Sequence, residues 1–248
     1  MPDVLGWRRT FGVLAPSTNT VVQPDFDDMR PVGVTNHYSR IFTPNVKGLS
    51  NETFRAGIAT ISNNVLDALH SVMTCEPDHL IMGMSGITFL GGIKGADAFV
   101  RQIEDTAGIR ITIGSHAAAA ALRAYGAISR IAILSPYWPV MNEEVKRYFT
   151  DAGFQVVRDL AMQCTSWTAI AAVPPAQCRE ALRRLDGDDV DAIVQVGTNL
   201  SMLRLAAAAE LWLGKPVVAI NAATYWQALR SNDIREPIAG FGRFMEAF

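Results

Sequence analysis

The sequence is poor in the residues that most often carry acid, base or metal chemistry. Of 248 residues only 3 are cysteine and 4 are histidine. Cys75, Cys164 and Cys178 are odd in number and unrelated in spacing, so neither a disulfide framework nor a zinc-type ligand set follows from them. The histidines are scattered and no His/Asp/Glu cluster is visible, so no metal is expected. No apolar run approaches the ~18 residues needed to span a bilayer. With 22 basic against 24 acidic residues the net charge is −2, which leaves no basic field for nucleic acid or for a membrane surface. Arg8 and Arg9 precede a short apolar run, but it stops at Pro16 without signal-like length, so a cytoplasmic chain is expected.

What is present is a well-filled globular chain, 49% apolar and 19% charged, large enough for one large or two small domains. Its central stretch is residues 79–92, HLIMGMSGITFLGG. The apolar run up to Gly83 reads as a fully buried parallel strand, and Ser85 and Gly86 follow where a turn exposes backbone N–H groups to an anion. Residues 11–15 form a similar short strand stopping at Pro16, after which Ser17, Thr18, Asn19 and Thr20 offer caps or ligand contacts. A strand is expected over 34–42, with Arg40 near its end, and a helix over 51–73 from the spacing of Phe54, Ile58, Ile61, Val65, Leu66 and Leu69. Beyond the central stretch come a helix over 94–107, a strand over 109–113 and an alanine-rich helix over 117–124. His116 falls at the first turn of the latter, where the dipole favours a neutral ring that could carry a proton.

The second half repeats this plan. Strands are expected over 130–134, 155–160, 192–196 and 217–220, and helices over 141–152 and 175–185. Leu14-Ala15-Pro16 is matched by Leu134-Ser135-Pro136, the edge at 82–85 by Gly197, Thr198 and Asn199, and Ala121-Leu122-Arg123 by Ala228-Leu229-Arg230. The separation shrinks from about 120 to about 107 residues along these pairs, as loop deletions in a duplicated unit would produce. Strand and helix alternate throughout, which implies an α/β fold of two Rossmann-like parallel-sheet halves. The expected halves are residues 1–122 plus 223–248, and 123–222, related by a pseudo-twofold with the active-site cleft between them. Ser17, Thr18, Asn19, Ser85 and Gly86 would then face Tyr137, Thr198 and Asn199. Nearly all are neutral donors, suited to a carboxylate or a developing enolate.

These residues carry a resemblance. APSTNT at 15–20, MGMSGITF at 82–89, SPYWPVMNE at 135–143, VGTNLSML at 196–203 and the run from Tyr225 through GFGRF at 240–244 together resemble the maleate isomerase and arylmalonate decarboxylase branch of the aspartate/glutamate racemase superfamily. The resemblance implies no cofactor, no metal and a small carboxylate substrate held between the halves. It implies that Asn19 and Tyr137 bind substrate carboxylate, and that Ser85, Gly86 and Thr198 sit where the family arranges hydroxyl and backbone donors.

One departure stands out. Family members that racemise or isomerise use two facing cysteines at the central strand ends, and the decarboxylases keep the second. The motifs put Met84 and Gly197 at those positions, and neither has an ionisable group. Of the three cysteines only Cys164 lies on a loop that could reach the cleft. Decarboxylation needs chiefly a cradle that stabilises a carbanion, with a proton from Tyr137, His116 or water. The expectation is therefore a cofactor-independent, decarboxylase-like lyase acting on a small mono- or dicarboxylate. The alternatives are a cis-trans isomerase or racemase with a non-cysteine base, and a catalytically silent carboxylate-binding protein. A homo-oligomer is expected, and an apolar surface residue such as Trp212 would suit a dimer.

Overall fold

The computed structural model describes residues 3–248; the first two residues of the expected first half lie outside that range. Two four-stranded parallel sheets are built in chain order. The first uses β1 (Arg9–Pro16), β2 (Val34–Ile41), β3 (His79–Met82) and β4 (Ile111–Thr112) in the order β2-β1-β3-β4. The second uses β5 (Arg130–Ser135), β6 (Gln155–Ala161), β7 (Ala192–Gln195) and β8 (Val217–Ala219) in the order β6-β5-β7-β8. The two orders are the same once the second set is renumbered from its own start. Central strands β3 and β7 are buried along their whole length, whereas edge strand β6 is half-exposed, so near-continuous apolar runs mark the middle of each sheet.

Helices fill the crossovers: α1 (Val22–Asp28), α2 (Asn51–Asn63), α3 (Val65–Met73), α4 (Gly92–Ala107), α5 (Gly114–Ala124), α6 (Pro139–Asp151), α7 (Pro175–Leu185), α8 (Leu203–Leu213), α9 (Ile220–Arg230) and α10 (Arg243–Ala247). Helix α2 starts on a capping box in which Ser50 and Thr53 satisfy each other's backbone N–H groups. Helices α6 and α7 open on proline in the first turn, where the missing N–H costs nothing. Helices α5 and α9, which follow the last strand of each sheet, pack side by side. From α9, Tyr225 packs on Phe11 and Phe26 of the first half, and Trp226 packs on Phe244 of α10, which in turn meets Tyr125. Among the described residues no helix is long and apolar enough to cross a membrane.

Several expected bounds shift by a residue or two, and three differences change the local picture. The helix over 51–73 is two helices, because Asn64 ends α2 and turns its side-chain amide to the Phe42 carbonyl at 2.8 Å. The strand over 109–113 shrinks to Ile111 and Thr112, which alone pair with β3. Helix α5 starts three residues sooner, at Gly114, so Ser115 and His116 belong to its first turn.

Register makes the internal symmetry explicit. Leu14 of β1 pairs with Met82, and Leu134 of β5 pairs with Gln195. Counting two residues on, Met84 and Gly197 occupy equivalent positions, and Ser85 is equivalent to Thr198. The backbone agrees, since Gly83 N–H donates to Leu14 O at 2.7 Å and Val196 N–H to Leu134 O at 2.9 Å.

Candidate active site

The carboxyl ends of the central strands face each other across a cavity of about 40 Å³, room for only a few waters. Thr18, Asn19, Ser85, Gly86, Tyr137, Thr198 and Asn199 line it, together with Met84 and Gly197, the positions at which the resemblance led thiols to be expected. This is the convergence expected at parallel strand ends.

Two hydrogen bonds cross the cleft in mirrored fashion. Ser85 Oγ, from the first half, lies 2.8 Å from Tyr137 Oη of the second. Thr198 Oγ1, from the second half, accepts from Asn19 Nδ2 of the first at 2.9 Å. The hydroxyl at each central strand end thus reaches the polar residue that follows the opposite half's first strand. Gly197 N–H also donates to Ser85 Oγ at 3.1 Å. All four side chains are buried.

Asn19 does more than bridge. Its Oδ1 accepts from the N–H groups of Val21 and Val22 at 2.9 and 3.0 Å, capping α1, which fixes the amide so that Nδ2 faces the cleft. Arg40 donates to the Asn19 carbonyl at 3.3 Å and also to Gln23. Tyr137 is seated edge-on against Phe54, with ring centroids 5.6 Å apart. Burial raises its phenol pKa well above the ordinary range, and the Ser85 hydrogen bond offsets part of that. Asn199 is taken up in joining loops: its Oδ1 accepts from Thr20 N–H at 3.0 Å and its Nδ2 donates to Trp167 O at 2.9 Å.

The two glycines matter for space. A Cβ on Gly86 would stand 3.7 Å from Tyr137 Oη and 3.3 Å from Ile58 Cδ1, so its absence leaves the cavity open beside the phenol. Gly197 has φ +102°, and a Cβ there would lie 2.5 Å from two ring carbons of Pro136. A side chain, cysteine included, is therefore both strained and crowded at that position.

Two residues expected at the site stand apart from it. Ser17 is exposed and does not line the cavity; its Oγ accepts from Thr43 N–H at 2.9 Å, and Thr43, at the end of β2, does line it. His116 is also absent from the lining. Its Nε2 lies 3.2 Å from Asp97 Oδ1 and its ring packs against Tyr148. Burial lowers its pKa, opposed by Asp97. The site has no acid/base use for it from there. Cys75 is exposed, Cys164 half-buried and Cys178 buried, and none lines the cavity. Among the described residues, no three His, Cys, Asp or Glu side chains are placed to hold a metal ion.

Sequence reading missed the opposite wall. Ile58 and Ile61 of α2, with Trp167 and Ile170 from the loop beyond β6, complete the cavity. The isoleucines share the helical stripe that also makes core, so spacing alone does not separate the two roles. Trp167 follows the Cys164-Thr165-Ser166 loop at a strand's carboxyl end, and that position was the available signal. A second missed feature lies behind the cleft, where Asn221 Nδ2 donates to Thr198 O at 3.0 Å and to Asp25 Oδ2 at 2.7 Å.

Chemically, one wall presents hydroxyl and amide donors and the other is hydrocarbon and indole. Among the described residues, no lysine, arginine, histidine, aspartate or glutamate lines the cavity. Such a site stabilises an anion through neutral dipoles.

The fold defines a two-lobed α/β enzyme with a cavity between the strand ends of its two sheets. A family model described as arylmalonate decarboxylase matches residues 24–245, and the chain belongs to that family, whose relatives here are isomerases and lyases. Similar sequences are the maleate isomerases of Nocardia farcinica, 25% identical over 97% of this chain and 96% of the relative, and of Pseudomonas putida, 26% identical over 94% and 96%. Among solved structures, a Nocardia farcinica maleate cis-trans isomerase mutant with a covalently bound succinylcysteine intermediate superposes with TM-score 0.84 at 24% identity, covering 97% of this chain and 99% of that one. A liganded double mutant of arylmalonate decarboxylase gives TM-score 0.83 at 22% identity, covering 95% and 98%.

Proposed function

We propose that this enzyme decarboxylates a small malonate-type acid without a thiol and without a cofactor. The observation that carries the reading is the two-sided cavity, with neutral donors on one wall, apolar groups on the other and no cysteine between them. One substrate carboxylate sits among Asn19, Ser85, Tyr137 and Thr198, exchanging the donors' mutual hydrogen bonds for charge-assisted ones. The second carboxylate faces Ile58, Ile61 and Ile170, where loss of its hydration favours the neutral product. The bond from the α-carbon to that carboxylate breaks and carbon dioxide leaves. The electron pair delocalises into the retained carboxylate as an enediolate, which the strand-end donors stabilise.

The α-carbon then takes a proton from Tyr137, directly or through Ser85, or from water. A phenol with so high a pKa gives up its proton only to a strong base, and a carboxylate enediolate is one. Water or a following exchange restores the phenol. An isomerase route through a succinylcysteine, as in the Nocardia farcinica structure, lacks its sulfur here. A cysteine in place of Gly197 would moreover be strained by its backbone and crowded by Pro136.

Incubation with substituted malonates and with maleate in deuterated water tests this. The expected result is released carbon dioxide and one deuterium at the α-carbon of the product. Fumarate formed from maleate without carbon dioxide would overturn the decarboxylase reading in favour of an isomerase. Thermal stabilisation by these acids with no turnover would overturn catalysis and leave a binding protein.

A further inference from the structure

Trp167 holds a polar atom that the folded chain leaves unused. The residue is 6% exposed, lines the cavity, and its indole Nε1 has no hydrogen-bond partner among the described residues. Leaving a buried donor unpaired is costly, and such atoms in a ligand cavity are commonly completed by the ligand.

The indole is deliberately seated. It stacks on Phe54 with centroids 4.7 Å apart, and Phe54 also carries Tyr137, so one aromatic row joins the polar cradle to the apolar wall. Its backbone carbonyl is held by Asn199, and the neighbouring Ser166 bridges to Lys47. On the other face, a Cβ on Gly57 would lie 2.6 Å from Trp167 Cζ2. Glycine inside α2 sacrifices helix propensity, and the close approach of the ring is what it makes possible.

We infer that Trp167 is a specificity residue, whose indole N–H takes an uncharged oxygen in the side group of the substrate. The inference rests on the carboxylate-cleft reading above and deepens it: the substrates are small α-substituted malonates whose substituent carries an ether or carbonyl oxygen. An uncharged acceptor is specified because Trp167 stacks on Phe54, shares the cavity lining with Ile58, Ile61 and Ile170, and among the described residues no cation lines the cavity. One neutral donor does not offset the desolvation of a further anion.

The test compares pairs that differ by a CH2-to-oxygen exchange: ethylmalonate with methoxymalonate, and propylmalonate with (methoxymethyl)malonate. Dissociation constants are measured by calorimetry for the natural enzyme and for Trp167→Phe, which keeps the stack and loses the N–H. The natural enzyme should prefer the oxygen-bearing member of at least one pair by about fivefold to tenfold, the usual worth of one neutral hydrogen bond. In Trp167→Phe that preference should vanish. Gly57→Ala, which retains the N–H but displaces the ring, should reduce it as well and serves if the tryptophan variant does not fold. In the natural enzyme the indole 1H–15N resonance of Trp167 should move with the preferred oxygen-bearing acid and stay in place with its hydrocarbon partner. Equal affinity within both pairs, or a preference that survives in Trp167→Phe, overturns the role of Trp167 and leaves the carboxylate cradle standing. Binding of none of the four acids overturns the cradle together with it.

Discussion

The two cross-cleft hydrogen bonds are related by the molecule's internal symmetry but are not built alike. Thr198 meets an amide that is simultaneously the cap of α1 and the end of an Arg40 contact. Ser85 meets a phenol held by little besides the ring of Phe54. Asn19 cannot turn away from Thr198 without uncapping a helix, whereas Tyr137 can exchange Ser85 for another partner at the cost of one hydrogen bond. Duplication supplied two equivalent positions, and divergence made one a fixed anchor and the other an adjustable donor.

The most damaging way to probe that contrast is at the anchor. Asn19→Ala removes the cap, strands two N–H groups and frees Thr198, so it should lower stability by about 2 kcal/mol and abolish carboxylate binding; chemical denaturation and calorimetry read the two effects. Tyr137→Phe should behave differently. Carboxylate affinity should fall by about 1.5 to 3 kcal/mol, the worth of one hydrogen bond to a charged group, while stability stays within about 1 kcal/mol, because Ser85 keeps Gly197 N–H. If both substitutions destabilise the fold equally, Tyr137 is an anchor too and the contrast fails. Unchanged affinity in Tyr137→Phe would remove it from the site.

A smaller effect sharpens the anchored side. Asp25 lies behind Thr198 through Asn221, and its pKa is raised from 3.8 to about 6, first by burial and then by nearby Asp28, against the Asn221 hydrogen bond and Arg204. Between these values the folded chain holds a proton that the unfolded chain has released. Stability linked to Asp25 is therefore greatest below about pH 4 and declines as pH rises through about 6, by about 1 to 2 kcal/mol once partial exposure is discounted. Asp25→Asn should flatten that part of the stability profile in urea titrations from pH 4 to 7. An unchanged slope would show that Asp25 is not the group responsible.

Much of this architecture was legible in the chain. Continuous apolar runs ending in small polar residues located β3, β5 and β7, and the repeated Leu-Ala-Pro and Leu-Ser-Pro ends gave the equivalence of halves that the register now shows. What the sequence hides is direction. His116 sits at the helix start that was expected of it, but faces Asp97 instead of the cleft. Ser17, two residues before Asn19 in the chain, is left outside because the chain turns there, Asn19 N–H closing back on the Pro16 carbonyl at 3.0 Å. Ile58 and Ile61 obey one periodicity whether they pack a core or wall a cavity, and the unpaired indole of Trp167 depends on contacts from α2, more than 100 residues away. His116→Ala should accordingly leave turnover within about twofold, since a group outside the cleft contributes none of the ~10²-fold expected of a general acid or base; a large loss would return the ring to the proton path.

The smallest expected effect concerns the thiols, and it bears on both halves at once. The symmetric strand-end positions hold Met84 and Gly197, while the cysteines lie elsewhere, with Cys75 exposed and Cys178 buried. Burial pushes the Cys164 thiol up to about 11, so at neutral pH its thiolate, the nucleophilic form, is scarce. Iodoacetamide should therefore modify Cys75 first, as mass spectrometry of the intact chain would show, with no loss of turnover. Inactivation that tracks modification of Cys164 would mean that the loop beyond β6 brings sulfur into the cleft during the reaction. The hydroxyl pair Ser85 and Thr198 would then be accessory to a thiol, and the division of the site into anchor and adjustable donor would describe its resting arrangement only.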